Sequence, residues 1–172
     1  MTKTRTAIQL ARWGSYFGIL LVLFIIQVTP GWFAIMGIKP MLLVPFVVCL
    51  SMFETEKTSA VFALLAGGFW DASSQKMFGF SSLILLICCV ACTLLVMYLI
   101  KPNIVNSILL CFGALLVYYF VDFIFYFFIW GYSGVWWYLL YHILPTIVYT
   151  VAVSPLLFFL MRALCGKFRE ML

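Results

Sequence analysis

Five carboxylates and one histidine are the whole acid–base stock of this 172-residue chain. Asp122 and His142 lie inside apolar runs, and Asp71 lies at the end of one. Such groups in a membrane move protons, hold a ligand, or pair to fix helices. Two aspartates at one depth could also form a proteolytic dyad, but Asp71 falls near a membrane surface and Asp122 deeper. No GxSxG, HExxH, P-loop or dinucleotide fingerprint is present. Six cysteines (Cys49, Cys88, Cys89, Cys92, Cys111 and Cys165) supply one CxxC, Cys89 to Cys92. It is embedded in LLICCVACTLLV without a histidine or a second pair. Apolar thiols packed between helices account for it better than metal or redox chemistry. The sequence therefore predicts no enzyme, no metal and no cofactor.

The elements that hold these groups must be membrane helices. The chain is 67% hydrophobic and 9% charged, whereas soluble domains run nearer half apolar and a quarter charged. The predicted fold is all-α: one polytopic domain of six transmembrane helices over about 13–29, 35–53, 58–72, 80–100, 104–130 and 135–164, after a polar tail over 1–12. A cleaved signal peptide does not fit, because no small-x-small site precedes a soluble domain. Gly14 and Gly18 form a GxxxG in the first span. Lys101-Pro102-Asn103 separates the fourth and fifth spans. Trp130, Tyr132, Trp136, Trp137 and Tyr138 predict an aromatic belt around the turn at 131–134. Pro145 and Pro155 are expected to bend the last span.

The most informative stretch is Gly37 to Ser82. It holds two short apolar runs, Met41 to Phe53 and Ser59 to Trp70, around a charged knot of Glu54, Glu56 and Lys57. A re-entrant hairpin would leave that knot at mid-membrane, at roughly 2.5–3.5 kcal/mol per charge. Two full spans avoid this. Pro40 stands where the second helix is expected to begin, a position that needs no N–H donor. Ser59, Ala63, Gly67 and Asp71 recur at steps of four, a small-residue face that admits a close neighbour. Packing with a capped helix end, and a partner contact, both remain open for that face.

Gly37-Ile38-Lys39-Pro40, the apolar run, Gly67-Gly68-Phe69-Trp70-Asp71 and then Gly79-Phe80 resemble the MreD family of the bacterial rod-shape machinery. The resemblance covers Gly37 to Lys101, and the remainder agrees in length and hydropathy. It implies a non-enzymatic scaffold subunit of peptidoglycan elongation that binds MreC. Through MreC it would meet the actin-like MreB and the wall glycosyltransferase and transpeptidase. It also implies a fold like the substrate-binding component of energy-coupling-factor transporters. A vitamin-binding component of that kind is the alternative function. For that alternative, the outward loops offer few convergent polar groups: Asp71, Ser73, Ser74, Gln75 and Lys76.

Six spans put both termini on one side, with Lys3, Arg5, Arg12, Lys57, Lys101, Arg162, Lys167 and Arg169, against Lys39 and Lys76 on the other. The positive-inside rule then predicts cytoplasmic termini in the inner membrane. The net charge of +5 is explained by this asymmetry and by membrane lipid, not by nucleic acid. Asp122 and His142 flank the 131–134 turn by about ten residues each, so both are expected roughly 15 Å in from the outer end. Both are expected to face the bundle. Asp122 would accept a hydrogen bond from His142 or from Tyr119, Tyr126 or Tyr149, holding spans five and six in register. A proton relay is the functional alternative.

Overall fold

The computed structural model describes residues 2–29, 39–74, 77–125 and 139–170. Among them stand six α-helices: α1 (Thr2–Val28), α2 (Leu43–Phe53), α3 (Glu56–Ser73), α4 (Phe80–Tyr98), α5 (Ile104–Phe123) and α6 (Leu144–Glu170). A five-residue π-helical turn, Leu139–Ile143, leads into α6. No strand occurs among the described residues. Four stretches are long and apolar enough to cross a membrane: Ile8–Val28, Phe80–Tyr98, Ile104–Phe123 and Tyr141–Phe168. The expected tail over 1–12 is helical from Thr2 onward. Tyr126, the 131–134 turn and its aromatic belt, Gly37-Ile38, Gln75 and Lys76 lie outside the described residues.

The short helix is the centre. At 11 residues, α2 rises only about 16 Å, well under the ~30 Å hydrocarbon core. It does not have to match the bilayer, because it packs against every other helix. All but one of its residues are buried. Its sequence, LVPFVVCLSMF, is apolar all round, as a helix surrounded by protein must be.

A buried helix start exposes donors that lipid cannot satisfy. Neighbouring helices supply acceptors. The Met41 N–H donates to Thr150 Oγ1 on α6 at 3.0 Å, and the Leu43 N–H donates to Gln27 Oε1 on α1 at 3.1 Å. Pro45, the third helical residue, has no N–H to satisfy. This accounting corrects the expected start at Pro40. The helix begins three residues later, at Leu43, because the chain at Met41 is first bound sideways to α6.

Pro155 sits inside α6. It withholds the N–H that the Val151 carbonyl would accept. The Ser154 hydroxyl donates to that carbonyl instead, at 2.8 Å. One turn earlier, Thr150 and Thr146 hydroxyls donate to the Thr146 and His142 carbonyls, both at 2.6 Å.

The most extensive helix pairing is α3 with α4. By contrast, α1 lies at the perimeter, against α3 and α2. Its Gly14 and Gly18 are exposed, and an added Cβ at either would meet nothing within 4 Å. This GxxxG is therefore not used within the bundle.

Candidate functional site: the seam between α3 and α4

Ser59, Ala63, Gly67 and Asp71 are all buried on α3. The small-residue face does what its spacing implies and brings α4 into backbone contact. A Cβ built on Gly67 would stand 2.2 Å from Ser82 Cα and 2.6 Å from Ser82 N. No side chain fits there. Gly68 differs: its nearest contact would be Ser82 Oγ at an ordinary 3.8 Å. Gly67 alone sets the approach, and Gly68 follows it in sequence without sharing the role.

The close approach places the Asp71 carboxylate over the first turn of α4. Asp71 is 3% exposed. Its Oδ2 accepts from the N–H of Gly79 (2.9 Å) and of Ser82 (3.2 Å), and its Oδ1 from the N–H of Ser81 (3.0 Å). The Ser82 hydroxyl also donates to Oδ2, at 3.3 Å. Of the first four α4 donors, the remaining one, Phe80 N–H, donates to the Met77 carbonyl at 3.3 Å. All four are thus satisfied. The carboxylate acts as an N-cap borrowed from the preceding helix, at the end where the helix dipole favours a negative charge.

Gly79 is the N-cap position itself, at φ 95°. That left-handed conformation is open to glycine and strained for most other residues. It turns the chain so that three N–H groups converge on one carboxylate. The eight-residue interval between Asp71 and Gly79 is the length of that turn.

A second set of bonds ties this seam to α5. Trp70 Nε1–H donates to the Tyr118 hydroxyl at 2.9 Å, and Tyr118 also shares a hydrogen bond with Ser81 Oγ at 3.0 Å. Tyr118 is fully enclosed, at 2% exposure. Three helices therefore meet at one phenol. Neither Tyr118 nor Ser81 stands out in the sequence. The one available signal is that Tyr118 precedes Asp122 by one helical turn, on the same face of α5.

Asp122 is buried, as a carboxylate at membrane depth is expected to be. His142 does not share that orientation and is exposed. The inward residues around it are Ile143, Ile147 and Thr150. His142 stands one residue before Ile143 in the π-helical turn, and successive residues of a helix point in different directions round its axis. Of the two groups expected to face the bundle, Asp122 is buried and His142 is exposed; the turn from which their common depth is counted lies outside the described residues.

At the opposite end of the bundle, Glu54 just past α2 accepts from Arg12 Nη2 at 2.8 Å and from the Tyr16 hydroxyl at 2.7 Å. Its side chain is 5% exposed. Tyr16 Oη also lies 3.1 Å from Cys165 Sγ on α6. These partners are far apart in sequence, and the charged knot alone did not reveal them.

The six cysteines are free thiols, five of them buried. Among the described residues no three of His, Cys, Asp and Glu gather as a metal-ligand set.

No curated protein and no solved structure matches this chain. A family profile does, described as rod shape-determining protein MreD, over residues 6–168. That match spans nearly the whole chain, including the α3–α4 seam, and extends past the stretch from Gly37 to Lys101 that carried the resemblance. The chain belongs to the MreD family of rod shape-determining proteins.

Proposed function

We propose that this rod shape-determining membrane protein is a non-enzymatic scaffold of peptidoglycan elongation. In this account it binds MreC and, through MreC, is coupled to MreB and to the wall glycosyltransferase and transpeptidase. The observation that carries the proposal is the family match over residues 6–168. The use made of the buried polar groups supports it. The Asp71 carboxylate spends its acceptor capacity on the start of α4, and Tyr118 spends its hydroxyl on Trp70 and Ser81. These groups hold a shape that a partner reads.

The same proposal places the protein in the inner membrane with both termini cytoplasmic. Of the ten basic residues, the eight assigned to the terminal side are Lys3, Arg5, Arg12, Lys57, Lys101, Arg162, Lys167 and Arg169.

The test is depletion in the rod-shaped host, with affinity capture of the tagged chain. Depleted cells should round or swell, and MreC should co-purify with the wild-type chain. Rods that keep their shape while losing vitamin uptake would instead favour the transporter alternative. A reporter fused after Leu172 should give a cytoplasmic signal, and a periplasmic signal there contradicts the orientation.

A further inference from the structure

The last turns of α6 carry a feature that the packing of the bundle does not use. Phe159, Arg162, Ala163, Gly166 and Lys167 recur at steps of three and four, so they share one helix face. Together they line a shallow hollow of about 480 Å³. All five are exposed. The hollow is open at Gly166, where an added Cβ would meet nothing within 4 Å. Among the described residues its lining holds two cations and no acid. Among the described residues the one ion pair is Arg12 with Glu54, so Arg162 and Lys167 have no carboxylate partner there. Residues 162–170 contain three cations, Arg162, Lys167 and Arg169, and one anion, Glu170.

Position matters as much as charge. The apolar stretch Tyr141–Phe168 has 28 residues and rises about 42 Å. A hydrocarbon core is ~30 Å thick, and ~40–45 Å with its headgroup layers. The basic end of α6 therefore reaches headgroup depth, with Phe159 two turns nearer the lipid tails. Lys167, in the last helical turn, offsets the negative end of the helix dipole. Arg162, more than a turn further back, lies beyond that influence.

We propose that this hollow binds one anionic phospholipid. The phosphate sits between the Arg162 guanidinium and the Lys167 ammonium, and the guanidinium's planar fork suits two phosphate oxygens. The space above Ala163 and Gly166 admits the glycerol region, and Phe159 carries the start of an acyl chain. Juxtamembrane basic groups attract anionic lipid in any membrane protein. A built site adds a dependence on the shape of the hollow.

The test uses the purified full-length chain and native mass spectrometry of lipid adducts. Phosphatidylglycerol and phosphatidylcholine with identical acyl chains are offered in turn. The wild-type chain should retain one phosphatidylglycerol in preference to phosphatidylcholine, by roughly tenfold or more for two basic groups. Arg162→Gln with Lys167→Gln should abolish the preference. Gly166→Leu, which fills the hollow and leaves every charge in place, should abolish it too, with the thermal midpoint unchanged. Inorganic phosphate at millimolar concentration should leave the lipid adduct intact. Equal retention of the two lipids, an undiminished preference in Gly166→Leu, or displacement by inorganic phosphate would each overturn the proposal.

Discussion

Two nearly buried carboxylates, Asp71 and Glu54, sit at opposite ends of the bundle and are held by different kinds of partner. Asp71 caps the N-terminus of α4, where the helix dipole is positive, and its partners are three backbone N–H groups and one hydroxyl. Glu54 lies in the two-residue link between the C-terminus of α2 and the N-terminus of α3. Its partners are side chains, a cation and a phenol supplied by α1. One charge is held by the fold's own backbone, and the other by two replaceable side chains. The first should be intolerant of substitution, and the second open to compensation.

The largest effect is expected at Asp71. Asp71→Leu strands one buried and two half-buried N–H groups, each costing about 1–3 kcal/mol, so the loss should reach ~3 kcal/mol. Asp71→Asn keeps one acceptor oxygen and should cost roughly half as much. Thermal unfolding in detergent measures both, and equal losses in the two variants would show that charge, not hydrogen bonding, dominates.

Next comes Gly67→Ala. A methyl 2.2 Å from Ser82 Cα must push α4 away, at about 1–3 kcal/mol for overpacking. It should also weaken the Asp71 bonds. Gly68→Ala supplies the contrast. It should be neutral, or stabilising by up to ~1 kcal/mol through helix propensity. Equal destabilisation by the two alanines would disprove the close approach.

Glu54→Gln should cost less than Asp71→Leu, roughly 1–2 kcal/mol, because Arg12 keeps some access to water. The double change Glu54→Gln with Arg12→Gln should recover part of that loss, since it leaves no unpaired charge. A double-mutant cycle with no coupling would remove the distinction between the two sites. The smallest effect is expected at Tyr118→Phe, about 1 kcal/mol, from the hydrogen bonds shared with Trp70 and Ser81.

The sequence made the seam legible because its parts obey local rules. Steps of four placed Ser59, Ala63, Gly67 and Asp71 on one face, and a glycine eight residues later marked the turn back. Helix count followed from apolar runs, and Asp122 turned inward as membrane energetics require. Features set by tertiary contacts were not legible. The late start of α2 depends on Thr150 and Gln27, 109 and 16 residues away from their partners. The Arg12–Glu54 pair spans 42 residues. The exposure of His142 was not legible, because a residue's direction round its helix depends on the helical phase at Leu139–Ile143 and not on its distance from a turn.

Under the proposed function, Asp71 and Gly67 serve rod shape by holding α3 against α4. The direct measurement is complementation of a depleted strain with Gly67→Ala, Asp71→Asn and Asp71→Leu. Cell shape is scored against the amount of folded protein in the membrane and against its thermal midpoint. All variants should fall on one common curve, on which rods are lost only as folded protein is lost. If Asp71→Asn accumulates to wild-type levels with an unchanged midpoint and the cells still round up, Asp71 is a partner contact or a chemical group, and the account is contradicted.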